Sequence, residues 1–159
     1  MFSTVGGGPL TRGAVVILVD ERVALIRREH PERRVYHLFP GGKAEPGESP
    51  AEAAVREAYE ELGVHVRLTA LLAVETFEGS LRYYYRGKIE GGTFGTGSGA
   101  ELSCLPGSPR GTYTPIWLPV RDLASREVYP RYLARRLSAD DPFPAPVHFT
   151  DDDAGMNIR

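Results

Sequence analysis

The segment from Ser49 to Gly63 constrains the fold more than any other stretch, because it specifies both ends of a helix. Ser49 suits the N-cap, Pro50 at the first helical position has no N–H to leave unpaired, and Glu52 three residues after the serine completes a capping box. Gly63 supplies the C-terminal stop. The spacing predicts a helix from Pro50 to Leu62, with Ala51, Ala54, Val55, Ala58 and Leu62 recurring as a buried stripe. Such a helix needs a surface to pack on.

That surface is expected to be a sheet. Ala14 to Val19 is β-branched, continuous and too short for a helix, so it reads as a central strand. Arg22 to Arg27 reads as its hairpin partner across Asp20-Glu21, and Tyr36 to Phe39 as a short extended run stopped by Pro40-Gly41-Gly42. Val64 to Phe77 and Leu81 to Ile89 form a strand pair about the turn Glu78-Gly79-Ser80, and Tyr113 to Leu118 is a further strand. Asp122 to Leu137 carries a helical pattern through Leu123, Val128, Tyr132, Leu133 and Leu137, with Pro130 moving its start later. Gly6 to Pro9 is a lead-in, and the Gly-rich stretch Gly91 to Gly111 a loop. The domain spans residues 1–139, and 140–159 is a Pro-rich, acidic tail.

The chemistry is concentrated on the flank of the first helix. Glu57, Glu60 and Glu61 stand at i, i+3 and i+4 and so are neighbours on one side of it. Like charges at that spacing repel. Only Arg56 offers local compensation, and Ala53 leaves the same flank without a bulky side chain. Oxygen-rich clusters of this kind suit a hard divalent cation, Mg²⁺ or Mn²⁺, which leaves positions for water and substrate phosphates.

In order along the chain, Gly42, five residues, Glu48, seven residues and then Arg56-Glu57-Ala58-Tyr59-Glu60-Glu61-Leu62-Gly63-Val64 resemble the Nudix box, Gly-x5-Glu-x7-Arg-Glu-U-x-Glu-Glu-x-Gly-U with U bulky aliphatic. One departure is Ala58, where the pattern asks for a larger aliphatic side chain; it lies in the buried stripe, so packing is affected more than chemistry. Leu38-Phe39-Pro40-Gly41-Gly42-Lys43 is similar to the approach to the box in MutT-like members, and Leu25-Ile26-Arg27-Arg28 to their preceding strand end. The resemblance implies a Nudix α/β/α sandwich, a mixed sheet flanked by the box helix and a C-terminal helix near Tyr129 to Leu137.

It also implies roles. Glu57, Glu60 and Glu61 are the metal carboxylates, with the Gly41 or Gly42 carbonyl, Gly42 by preference, as a further ligand; Glu48 sits near the cluster and Arg56 holds a glutamate in position. The general base is a box glutamate, Glu60 or Glu61, or Glu101 from a later loop. Arg28 and Lys43 neutralise phosphates, and Phe39, Tyr36 or another tyrosine stacks on a base. Arg27, Arg33 and Arg34 are expected to be solvated, as is one face of Tyr83-Tyr84-Tyr85 to be core. Gly95 to Gly99 lacks the Gly-Lys-Ser/Thr ending of a phosphate loop and reads as a hinge or lid.

The implied activity is a Mg²⁺- or Mn²⁺-dependent pyrophosphohydrolase acting on a nucleoside diphosphate linked to another moiety. Nucleoside triphosphates, including oxidised purines, come first, then ADP-ribose and other sugar nucleotides, then dinucleoside polyphosphates; a non-catalytic Nudix nucleotide-binding module is the alternative from another class. With 19 Lys+Arg against 21 Asp+Glu, the chain lacks the basic surplus that nucleic-acid polymers attract. His30, His37, His65 and His148 have no zinc-binding spacing, and Cys104 is the only cysteine, consistent with a cytoplasmic setting. No apolar run approaches the roughly 20 residues of a membrane helix, so no membrane partner is expected. Oligomeric state is left open between monomer and homodimer.

Overall fold

The computed structural model describes residues 10–32, 34–98, 110–139 and 146–150. The elements, in chain order, are β1 (Thr11–Val19), β2 (Arg22–Glu29), β3 (Val35–Leu38), β4 (Gly41–Lys43), α1 (Pro50–Leu62), β5 (Val64–Phe77), β6 (Ser80–Gly92), β7 (Thr112–Pro119), β8 (Val128–Tyr129), α2 (Arg131–Ser138) and β9 (Val147–Thr150), with a 3-10 turn at Val120–Asp122. Gly6 to Pro9, Arg33, Glu101, Cys104, part of the glycine-rich loop and most of the tail lie outside the described residues.

The strands run β8-β3-β2-β1-β6-β5-β9, with β4 added to β1 and β7 to β2. Pairing is mixed: β1·β6, β3·β8 and β5·β9 are parallel, and the other pairs antiparallel. The β1·β2 hairpin is joined only at its closed end, through Leu18↔Val23 and Val19↔Arg22. Beyond it the two strands diverge, β1 towards β6 and β4, and β2 towards β3 and β7. The opening between them is where a ligand-sized space forms.

Alternation along β1 builds two cores. Val15 and Ile17 pack with Ala58 and Leu62 of α1, while Val16 packs with Tyr84, Leu133 and Leu137, the last two from α2. Successive strand residues point to opposite faces, so α1 and α2 cover opposite sides of the sheet. This is the expected α/β/α sandwich.

Helix α1 starts and stops where its signals say. Ser49 Oγ accepts from the Glu52 N–H, Glu52 accepts in return from the Ser49 N–H at 2.9 Å, and Gly63 takes the left-handed conformation at φ 83°. Its buried face differs from the expected stripe: Ala53, Ala54, Glu57, Ala58, Glu61 and Leu62 are buried, whereas Val55 is 36% exposed. Alanines let the helix approach the sheet closely. At Gly13 of β1 an added Cβ would lie 1.9 Å from the Pro50 carbonyl oxygen, so no larger residue fits beneath the helix start. Ala58, the departure from the box pattern, is fully buried in that contact.

The late helix start past Pro130 is as expected, and two segments near the C-terminus add strands that their sequence does not announce. The helical pattern from Asp122 becomes a 3-10 turn, the short strand β8 and then α2, because Pro130 occupies the N-cap position and the preceding residues pair with β3. Leu123 and Val128 are therefore core residues outside the helix. Within the tail, Val147–Thr150 pairs with β5 and buries Phe149 against Tyr132 at a ring separation of 4.8 Å.

Candidate active site

Helix α1 faces the Gly-Gly bend of β4 along its acidic flank. The Gly41 N–H donates to Glu61 Oε1 at 3.0 Å. At Gly42 an added Cβ would meet Glu57 Oε2 at 2.1 Å, so the absence of a side chain there is what lets the Glu57 carboxylate lie against the strand backbone. Glu57 and Glu61 are 9% and 7% exposed, while the Glu60 side chain is 41% exposed. The structure thus brings Glu57, Glu61, Gly41 and Gly42 together, with Glu60 at the rim.

Arg56 ties the acids to one another. Its Nε donates to Glu48 Oε2 at 2.8 Å and Nη2 to Glu48 Oε1 at 3.0 Å, a two-pronged pair of the strong kind. Nη1 reaches Glu57 Oε2 at 3.1 Å and Glu60 Oε1 at 3.2 Å, and Nη2 also donates to the Lys43 carbonyl at 3.1 Å. Only a planar guanidinium with several donors can serve so many acceptors. Its own pKa is raised, first by the Glu48 hydrogen bond, so it stays charged throughout.

The same contacts depress Glu48. The Arg56 hydrogen bonds and then the Glu45 N–H, at 2.9 Å, hold its carboxyl at about 2 against an ordinary 4.5, outweighing a smaller opposing effect of burial. A carboxylate whose folded pKa is lowered stabilises the fold fully above its unfolded pKa and loses that contribution as pH falls towards the folded value. Stability is therefore expected to decline on acidification from about pH 5 to about pH 2, and Glu48→Gln to flatten that decline. Urea midpoints measured across the range test this; an unchanged slope in the variant would remove Glu48 from the acid response.

The flank borders a cavity of about 630 Å³, within the usual size for a small-molecule site. Its wall includes Arg28, Phe39, Lys43 and Tyr113, with Arg56, Glu57 and Glu61 along one side. Arg28 lies 3.8 Å over the Tyr113 ring and donates from Nη1 to Tyr36 Oη at 3.0 Å, which fixes its plane. Phe39 is 5% exposed and packs edge-on to Tyr84 at 6.1 Å, so its ring belongs to the core as well as to the cavity wall. Glu101 lies outside the described residues.

A family model, the NUDIX domain, matches residues 9–134, most of the chain. The chain belongs to the NUDIX family. Human 8-oxo-dGDP phosphatase NUDT18 is 34% identical over 93 residues, covering 58% of this chain and 29% of that protein. Human diphosphoinositol polyphosphate phosphohydrolase 3-alpha is 46% identical over 55 residues, covering 35% of this chain and 32% of its own length. The chain thus spans about a third of the length of these relatives. In fold, a NUDIX hydrolase from Nitrosomonas europaea superposes with a TM-score of 0.63 at 21% identity, over 83% of this chain and 87% of the other.

The donor chemistry of this NUDIX site fits a hard divalent cation: every candidate ligand is an oxygen, and Gly42 leaves its backbone open beside Glu57. Among the described residues no three acidic, histidine or cysteine side chains close on a common point; Glu57 and Glu60 are turned to Arg56, and Glu61 to the Gly41 N–H. Arg12 and Arg82 also line the cavity. Sequence reasoning passed over both, since each sits alone in a strand and only strand pairing shows that they are neighbours. No described helix is long and apolar enough to cross a membrane.

Proposed function

We propose that this NUDIX protein is a divalent-metal-dependent pyrophosphohydrolase that cleaves a nucleoside diphosphate linked to another moiety, with nucleoside triphosphates, oxidised purines among them, as the favoured substrates. The observation that carries the reading is the Glu57, Glu60 and Glu61 flank, organised by Arg56 against the Gly41-Gly42 bend, at the side of a cavity with basic and aromatic walls. Two relatives, a phosphatase of 8-oxo-dGDP and a phosphohydrolase of diphosphoinositol polyphosphates, are named for phosphate-ester and diphosphate substrates and support the class.

Glu57, Glu60, Glu61 and the Gly42 carbonyl would hold Mg²⁺ or Mn²⁺, which when bound withdraws charge from the diphosphate and eases ionisation of water. Lys43 and Arg28 hold phosphate oxygens, Lys43 as a point charge and Arg28 as a planar fork. Phe39 offers a ring to the base. Water attacks one phosphorus of the diphosphate, the bridging P–O bond breaks and the other phosphate leaves with its bonding pair, and the water's proton passes to Glu60 or Glu61, or to Glu101, provided the acceptor stands within hydrogen-bond reach. Arg56 touches carboxylates rather than the cavity centre and acts as a positioning residue. Residues 1–139 would suffice for this chemistry, with 140–159 an appended tail that lends one strand to the sheet.

The test is product release from a panel of nucleoside triphosphates, ADP-ribose, sugar nucleotides and dinucleoside polyphosphates, with and without Mg²⁺. Metal-dependent turnover led by a triphosphate is the expected result. Binding without turnover of any member would instead establish a nucleotide-binding module.

A further inference from the structure

The segment Thr93 to Ser98, which follows β6, is fastened to the C-terminal end of α1. Thr93 donates its N–H to the Gly63 carbonyl at 3.1 Å and Gly95 donates to the Leu62 carbonyl at 2.8 Å, so carbonyls that the helix leaves unpaired are satisfied. Phe94 stacks on Trp117 at a ring separation of 4.7 Å and packs against the core that holds Ala58 and Leu62. Thr96 closes the turn, its N–H and Oγ1 both donating to the Thr93 carbonyl, at 3.2 and 2.6 Å. The chain then crosses the helix end at Gly97. An added Cβ there would lie 2.5 Å from the Glu60 carbonyl oxygen and 2.6 Å from the Glu61 carbonyl carbon, backbone atoms that cannot step aside. In its described part this stretch is a clasp on α1, and not the hinge or lid that its glycines suggest in sequence.

The clasp holds an end that is weak by its own chemistry. Glu60 and Glu61 stand in the last turn of α1, which contains no basic residue, and the carbonyl end of a helix dipole disfavours negative charge. A terminal turn also frays most readily. Arg56 reaches Glu60 Oε1 at 3.2 Å and the Gly41 N–H reaches Glu61 Oε1 at 3.0 Å, but both contacts act on the side chains. Gly97 bears on the backbone that carries them.

We propose that Gly97 is a positioning residue: its close seat on the Glu60–Glu61 peptide fixes the last turn of α1 and so holds both carboxylates in place for one divalent ion. The inference rests on the metal-dependent hydrolase reading above. Gly97 itself touches no ligand. A side chain at position 97 lifts Thr93–Ser98 from the helix end, the terminal turn loosens, and Glu60 and Glu61 lose their common aim. Glu57 stands one turn nearer the helix middle and keeps its place against Gly42. Metal affinity then takes the loss, and the global fold does not.

Titration of the full chain with Mn²⁺, followed by electron paramagnetic resonance, reads the seat without substrate or turnover. Gly97→Ala is expected to weaken Mn²⁺ binding about tenfold or more, as when a group that orients metal ligands is lost, while circular dichroism stays that of the wild type. Deuterium exchange should rise across residues 57–63 and stay unchanged across 50–56. Gly91→Ala, where an added Cβ meets His65 Cδ2 at an ordinary 3.8 Å, should leave both readouts at wild-type values and so controls for the loss of a nearby glycine. Should Gly97→Ala fail to fold, Thr96→Val decides in its place. It removes the hydroxyl bond to Thr93 with no added bulk, and about a threefold loss of Mn²⁺ affinity is expected from that one hydrogen bond. Wild-type Mn²⁺ affinity in folded Gly97→Ala, or in Thr96→Val where Gly97→Ala does not fold, overturns the proposal whatever the exchange shows. An unsubstituted chain that binds no Mn²⁺ removes the hydrolase reading and this inference together, and is told apart because the loss precedes any substitution.

Discussion

Exchanging Glu61 for glutamine is expected to lower kcat by about 10²–10³-fold, equivalent to roughly 3–4 kcal/mol of barrier, with the fold intact. The asymmetry follows from what the side chain does in the protein. Its Oε1 accepts from the Gly41 N–H at 3.0 Å, and a glutamine carbonyl can accept the same bond, so β4 stays docked to α1. What is lost is a negative charge on a side chain that is only 7% exposed, where the electrostatic effect of one charge is larger than in water. Glu60→Gln should act similarly on turnover with even less effect on stability, since its side chain is 41% exposed. Steady-state kinetics with saturating Mg²⁺, alongside thermal melts, separates the two readouts. Near-normal turnover by both variants would refute the roles proposed for this flank.

Helix α1 was legible residue by residue because its signals are local: a capping box, a proline and a glycine each act within one turn. The acidic flank was legible for the same reason. Its partner surface was not. Gly41–Lys43 has no strand propensity and reads as a bend, yet it forms β4 because Arg12, Gly13 and Ala14 offer it a free edge of β1. Val147–Thr150 does carry strand-favouring residues in Val147, Phe149 and Thr150, but it follows a Pro-rich stretch that reads as tail, and it becomes a strand by pairing with the edge of β5. Tertiary pairing overrides weak local preference at β4.

The burial of Glu57 and Glu61 was missed for a related reason. Helical periodicity alone put Val55 on the inner face, since an apolar residue is the natural occupant. Contact with two glycines, which occupy no side-chain volume, instead turns the helix so that the glutamates face inward and Val55 faces water. The pairing of Arg12 with Arg82 depends on β1·β6 being parallel, a relation between segments separated by α1 and β5 that no short-range pattern encodes.

Arg56→Ala is expected to destabilise the fold by about 2–3 kcal/mol at low salt, below the 3–5 kcal/mol typical of a broken buried pair because the site is partly hydrated. The Arg56, Glu48 and Glu57 side chains are 23%, 16% and 11% exposed, so the charges left behind are neither free in water nor fully buried. For a chain of this length that corresponds to a fall in Tm of roughly 5–10 °C. Arg56→Lys should recover only part of it, since an ammonium cannot reproduce the planar fork that meets both Glu48 oxygens while reaching Glu57 and Glu60. Salt should shrink the difference by screening the carboxylates from each other. Millimolar Mg²⁺ should shrink it further than the same ionic strength of NaCl, because a divalent ion held by Glu57 and Glu60 would supply the positive charge that the arginine no longer brings. If Mg²⁺ and NaCl matched at equal ionic strength restore Arg56→Ala equally, the flank is a structural charge network, and the metal-dependent reading of this site loses its physical basis.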